Sequence, residues 1–150
     1  MNGFSVERVT HDWYRFEEVL DLCYDVLYRA YGVPRQGDWY HPANGSTFAV
    51  ALGEGGVLVG SARLLPAPGD HARQVRQVAV APDSHGKGIG RELMLDLEWT
   101  AAAEGAVESW LHVRDNAFGF YERLGYVPEG PAFVSTLTGI PHRTMRKRLG

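Results

Sequence analysis

The chain has 150 residues, 45% of them apolar and 22% charged, which is long enough for one domain burying roughly 70% of its unfolded surface and too apolar for disorder. Fifteen Lys and Arg against eighteen Asp and Glu leave a net charge of -3, so no domain-wide basic field exists for a nucleic-acid backbone. One cysteine, Cys23, excludes an internal disulfide and a cysteine zinc site. With no basic-then-apolar leader and no uninterrupted apolar span, a cytoplasmic protein without a membrane segment is expected.

Phe4 to Thr10 alternates with a period of two and reads as a strand. From Asp12 to about Tyr31 the apolar residues Phe16, Val19, Leu20, Cys23, Val26 and Leu27 recur at helical spacing, with Asp12 as N-cap and Gly32-Val33-Pro34 as the stop. On that stripe Cys23 reads as a small core residue. Pro34 to Ser46 is a polar, Pro- and Gly-rich loop or short irregular helix anchored by Trp39 and Tyr40, and its Asn44-Gly45-Ser46 reads as a turn. Phe48 to Leu52 and Val57 to Leu65 form a hairpin, and Arg73 to Ala81 is the next strand.

Pro82 to Gly90 is a Gly-rich turn opening into a helix whose Ile89, Leu93, Leu97 and Ala101 line one face, ended by Gly105. Val107 to Val113 is a strand. Asn116 to Leu124 is a short helix with Ala117, Phe120, Tyr121 and Leu124 on one face, and Gly125 stops it. Ala132 to Thr136 and His142 to Arg148 flank Thr138-Gly139-Ile140-Pro141 as an antiparallel hairpin, with the cluster Arg143, Arg146, Lys147 and Arg148 read as a solvated strand edge that resists edge pairing. With no repeat, linker or low-complexity segment, residues 1–150 are expected to form a single domain.

A strand, a tight Gly turn and a helix start make an anion site, because the first N–H groups of a helix lack internal partners and the dipole adds partial positive charge. Gly86, Gly88 and Gly90 would keep Cβ atoms off a diphosphate, and Lys87 and Arg91 add charge. The turn lacks the Gly-Lys-Ser/Thr ending of a P-loop and the glycine spacing of a dinucleotide fingerprint.

His85-Gly86-Lys87-Gly88-Ile89-Gly90 resembles the Gln/Arg-x-x-Gly-x-Gly/Ala turn of the GNAT N-acetyltransferase family, with His85 in the place of Arg or Gln. Val78-Ala79-Val80-Ala81-Pro82 is similar to that family's splayed fourth strand, and Asn116 to Tyr126 to its Asn-x-x-Ala/Gly-x-x-x-Tyr-x-x-x-Gly-Phe/Tyr segment. Phe133 with Gly139-Ile140-Pro141-His142 resembles the end of a bacterial subgroup of ElaA-like and YjcF-like proteins. The resemblance implies a mixed α/β (α+β), mostly antiparallel twisted sheet of six to seven strands flanked by about four helices, in the order β-α-β-β-β-α-β-α-β-β.

It also implies acetyl-CoA as co-substrate. The backbone of Val78, Ala79 and Val80 would face the pantetheine arm, His85 to Arg91 with Ile89 would surround the pyrophosphate, and the Val80 N–H would polarise the thioester carbonyl. Tyr121 is the implied general acid for the departing thiolate; a phenol keeps its proton at neutral pH. Asn116 is either a partner of the pantetheine or substrate, or a plain N-cap. The fourth strand carries Arg73, Gln74, Arg76 and Gln77 where the family often has a carboxylate, so His112, His142 and Glu54 are the candidate bases. His11, His41, His71 and His85 are scattered, and no metal is expected.

The implied function is transfer of an acetyl group from acetyl-CoA to a primary amine, on a small molecule or peptide, by direct attack in a ternary complex. The competing expectation is a catalytically weak CoA-binding regulatory or interaction domain. An acyl-homoserine-lactone synthase-like enzyme ranks last. The apolar late hairpin with Phe133, Val134, Leu137 and Ile140 suggests a homodimer, and neither nucleic acid nor membrane is expected as a partner.

Overall fold

The stripe Ile89, Leu93, Leu97 and Ala101 is buried throughout, and the helix that carries it packs against one face of a seven-stranded sheet. The computed structural model describes residues 3–37, 39, 45–66 and 71–150. In chain order the elements are β1 (Ser5–Val9), α1 (Phe16–Leu27), β2 (Thr47–Leu52), β3 (Leu58–Leu64), β4 (Ala72–Val80), α2 (Ile89–Ala103), β5 (Glu108–Arg114), α3 (Phe118–Arg123), β6 (Val127–Val134) and β7 (Pro141–Arg148). This is the expected order. The sheet runs β1-β2-β3-β4-β5-β7-β6, and every neighbouring pair is antiparallel except β4 with β5.

Among the described residues the α-helices number three rather than about four, because the helical stretches at Arg29–Tyr31, Glu54–Gly56, Pro82–Ser84 and Asp115–Ala117 are single 3-10 turns. None of the helices among the described residues is long and apolar enough to cross a membrane.

Two cores sandwich the sheet. On one face α2 buries Leu93, Met94 and Leu97 against Leu64, Val75, Leu111 and Met145. On the other, Phe16, Val19, Leu20 and Cys23 of α1 meet Phe48, Val50 and Trp39. Each such side chain contributes about 1.5–3 kcal/mol of transfer free energy, so the two helices clamp β2, β3 and β4 from both sides and leave the β5–β7–β6 end to be covered on the α2 side alone.

Three features differ from the sequence reading. First, α1 starts at Phe16, not Asp12: Trp13 N–H donates to Thr10 O and Phe16 N–H to Trp13 O, so two consecutive turns precede the helix, and its N-cap, Arg15, makes no side-chain cap bond. The helix also ends earlier than expected, at Leu27 with Tyr28 as C-cap; Gly32, with φ 71 and its N–H on Arg29 O, caps the separate 3-10 turn Arg29–Tyr31 that follows. Second, β6 begins at Val127, well before Ala132, and each of its residues is exposed. Third, β7 lies between β5 and β6, so it is not an edge. Two of its four cations are ion-paired among the described residues: Arg146 holds Glu108 at 3.0 Å and Glu129 at 2.6 Å, and Lys147 holds Glu98 at 2.7 Å. The exposed edge is β6.

Candidate active site

The parallel pairing of β4 with β5 covers only Ala72 to Gln74 against Glu108 to Trp110, and beyond that point the strands part. The register of β4 on β3 shifts between Ser61↔Ala79 and Arg63↔Arg76, so two residues of β4, Gln77 and Val78, stand opposite Ala62. Such a bulge bends the strand and increases its twist. Gln77 sits at φ 54, the one positive value among the described residues other than glycine, at a cost of roughly 1–2 kcal/mol. Its side chain offsets this by donating to Trp39 O at 3.0 Å and Tyr28 Oη at 3.3 Å.

Ala81 N–H donates to Val59 O at 2.9 Å, with Gly60 opposite Val80 and Ser61 opposite Ala79. Because hydrogen-bonded and non-hydrogen-bonded pairs alternate in an antiparallel ladder, the N–H and C=O of Val80 point away from β3 into the gap that β5 has vacated. Val78 is placed likewise. Ala79 is not: its backbone groups are used by β3 and its side chain is buried, so two of the three expected strand residues offer polar groups to the gap. His85 donates from Nε2 to the Val80 carbonyl at 3.1 Å.

After Pro82–Ser84 the chain passes through Gly86 at φ 78 and Gly88 at φ 81 before α2 begins. Glu92 N–H makes the first bond of the helix, to Gly88 O at 3.1 Å, and among the described residues none of the backbone N–H groups from His85 to Arg91 has a partner. Such a run at the positive end of a 15-residue helix is an anion cradle. A Cβ at Gly86 or Gly88 would meet nothing within 4 Å, so both are glycines for their left-handed backbone and the space before them is open. Gly90 differs from the expectation: a Cβ there would lie 3.1 Å from the Phe120 ring, so it is needed for packing against α3. Lys87 and Arg91 are exposed at the cradle, while Ile89 turns its side chain into the core.

Through Phe120, α3 is fixed to the start of α2, and the next residue is Tyr121. That ring is buried, edge-on to Phe120 at 4.9 Å and to Tyr126 at 5.9 Å. Burial pushes its phenol above the ordinary range. Beside it, Tyr126 donates to Glu98 Oε2 at 2.9 Å and lies 2.8 Å from Ser109 Oγ, while Lys147 closes the network on Glu98. The N-cap of α3 is Ala117, so Asn116 is not the cap; it is exposed in the preceding turn with no side-chain bond among the described residues.

The candidate bases separate. Glu54 is exposed at the β2–β3 turn. His112 and His142 stand together on the face of the sheet away from α2, on either side of Phe133, with ring centroids 5.0 Å and 5.8 Å from it. Burial, then Arg76, then His142 hold His112 below the usual imidazole range. When its Nδ1–H donates to Thr144 Oγ1, 3.0 Å away, Nε2 carries the free lone pair. His142 donates from Nδ1 to Ile140 O at 2.8 Å. Cys23 is buried and its thiol is pushed up to about 12 by burial, which removes the thiolate needed for nucleophilic chemistry. His41 lies outside the described residues, and among those described no three His, Cys, Asp or Glu side chains could hold a metal ion.

Two features had no local signal in the sequence: the Gln77 bulge that opens the gap, and the approach of Arg76 to His112 across it. A positive φ at a glutamine leaves no compositional trace, and strand-to-strand neighbours are set by topology.

Streptothricin acetyltransferase of Streptomyces lavendulae is 36% identical over 87 residues, 56% of this chain and 46% of that protein. The chain spans about half the length of the curated relatives it matches. Escherichia coli ElaA shares the fold, with a TM-score of 0.76 at 19% identity, covering 95% of this chain and 99% of that one. Nourseothricin acetyltransferase superposes with a TM-score of 0.64 at 26% identity over 73% and 69% of the two chains. The acetyltransferase (GNAT) family model matches residues 13–126, a span that contains the splayed strand, the glycine cradle and α3; the chain belongs to the GNAT acetyltransferase family.

Proposed function

We propose that the protein transfers an acetyl group from acetyl-CoA to a primary amine by direct attack in a ternary complex. One observation carries the reading: a run of unpartnered N–H groups from His85 to Arg91 lies directly after a strand whose Val80 N–H faces an open gap. The cradle would hold the pyrophosphate, with Lys87 and Arg91 adding charge, and the outward groups of Val78 and Val80 would pair with the pantetheine as an added strand does. Asn116, exposed near the end of β5, is the remaining polar group offered to the arm or the acceptor.

The amine attacks the thioester carbon, and the Val80 N–H stabilises the oxyanion that forms. Collapse breaks the C–S bond, and Tyr121 Oη gives its proton to the leaving thiolate. The burial that raises the phenol also raises any thiol beside it, so the proton transfer stays matched. The proton shed by the amine goes to His112 Nε2, whose imidazole partial desolvation, Arg76 and His142 hold below the usual range. No covalent enzyme intermediate is required.

The competing reading is a CoA-binding module with little turnover, favoured by the absence of a carboxylate on β4 and by the hold of His85 on the Val80 carbonyl. We place the protein in the cytoplasm, and a second copy at the exposed β6 edge, where Val127, Phe133 and Val134 are open; a monomer mass by light scattering would remove the dimer.

Acetyl-CoA at a hundred times its dissociation constant should stabilise the native state by about 2.7 kcal/mol. Thermal shift tests this, with Gly88→Asp as control because it places a carboxylate in the cradle. A shift that survives in Gly88→Asp would put the pyrophosphate elsewhere.

A further inference from the structure

Beyond the end of α1, the sheet face opposite α2 carries chemistry that acetyl transfer does not itself require. Val75, Leu111, Val113 and Met145 point into the α2-side core, so alternation puts Arg76 of β4, Trp110 and His112 of β5, and His142 of β7 on the other face. Phe133 of β6 pairs with His142 and closes one side. The end of α1 closes the other, where Arg114 donates to Leu27 O at 2.6 Å and lies 5.3 Å from the Tyr31 ring.

Arg76 is the first residue on this face past the point where β4 and β5 part, so it stands at the mouth of the gap. It is half-buried and, among the described residues, makes neither an ion pair nor a hydrogen bond. The carboxylates that β5 and β6 bring to this region, Glu108 and Glu129, both hold Arg146. What remains is a free guanidinium, two imidazoles and aromatic walls from Trp110 and Phe133, with no uncommitted carboxylate on these strands to receive a polycation.

We propose that the acceptor amine carries an anionic group, a carboxylate or a phosphate, which Arg76 holds on this face while the amine enters the β4–β5 gap. A planar guanidinium matches both anions with paired N–H donors, and an anion placed there relieves the repulsion that Arg76 imposes on His112. The proposal rests on the acetyl-transfer reading, since it names the class of acceptor for that same site.

The test is thiol release at saturating acetyl-CoA with amines matched in size: amino acids and dipeptides as free acids and as C-terminal amides, glucosamine and glucosamine 6-phosphate, and spermidine. Members bearing an anion should lead. The two anion arms tell carboxylate from phosphate. Arg76→Gln should cut the preference for the anionic member of its pair by about ten- to hundredfold, the range for a hydrogen bond to a charged group, and Arg76→Lys should restore part of it. Preference for spermidine or the amides, no reaction with any anionic member, or a ratio unmoved by Arg76→Gln overturns the proposal. Thermal shift with acetyl-CoA reports separately on the underlying reading, so its failure is distinguishable.

Discussion

His85 Nε2 sits 3.1 Å from the carbonyl of Val80, so the side chain standing where the family usually has Arg or Gln occupies the outward-facing acceptor of the splayed strand. A pantetheine amide pairing with that edge must displace the ring. An exposed hydrogen bond of this sort is worth about 0.5–1.5 kcal/mol, so His85→Ala should bind acetyl-CoA roughly two- to tenfold more tightly. Calorimetry checks this; weaker binding in the variant would mean that the ring contacts the ligand instead.

Gly88 and Gly90 should respond differently to substitution. Ala at Gly88 meets no neighbour and pays only for a left-handed backbone, about 1–2 kcal/mol. Ala at Gly90 pushes on Phe120 and through it on α3 and Tyr121. We expect Gly90→Ala to lower kcat while acetyl-CoA affinity changes little. Paired kinetic and binding measurements on the two variants decide; a Gly90→Ala enzyme with unchanged kcat would uncouple α3 from the cradle.

Much of this arrangement is legible in the residues themselves. The spacing of Ile89, Leu93, Leu97 and Ala101 defines α2 because one face of that helix is wholly buried, and the alternation of Val75, Ala79 and their neighbours defines β4. The start of β6 is not legible: Pro128, Gly130 and Pro131 break the alternation, and a strand exposed at every residue has no buried face to impose one. Trp13 and Tyr14 extend the apolar pattern of α1 upstream although they lie in turns. Arg146 and Lys147 of β7 resemble a solvated edge until the partners Glu98, Glu108 and Glu129, distant in sequence, are folded against them.

Glu98, Lys147, Tyr126 and Ser109 form a buried polar network beneath Tyr121, with Glu98 accepting from Lys147 Nζ at 2.7 Å and Tyr126 Oη at 2.9 Å. Lys147→Met leaves a buried carboxylate without its counter-ion, at a cost of about 3–5 kcal/mol. Adding Glu98→Gln removes the charge and should recover much of the loss. Chemical denaturation of both variants measures this; equal stability of Lys147→Met and wild type would mean that the Lys147–Glu98 pair does not hold this network together.

His112 ties rate to pH. Its folded value is held below the usual imidazole range, so the neutral form persists as pH falls past about 6.5. The stability contributed by this group is present above its unfolded value and is lost as pH falls through the lower folded one. The acid limb of kcat/KM should therefore have its midpoint below about 6.5, and His112→Gln should abolish that limb. An unchanged acid limb in the variant would assign the proton to another group.

Amine-dependent release of CoA thiol, with the acetylated amine identified by mass spectrometry, tests acetyl transfer at this site most directly when wild type and Tyr121→Phe are compared. The phenylalanine keeps the ring buried beside Phe120 and Tyr126 but deletes the proton donor. General acid catalysis is worth about a hundred- to ten-thousandfold, so kcat should fall within that range while acetyl-CoA affinity holds. A wild-type protein that binds acetyl-CoA yet releases no more thiol with any amine than without one would contradict transfer and leave the CoA-binding module.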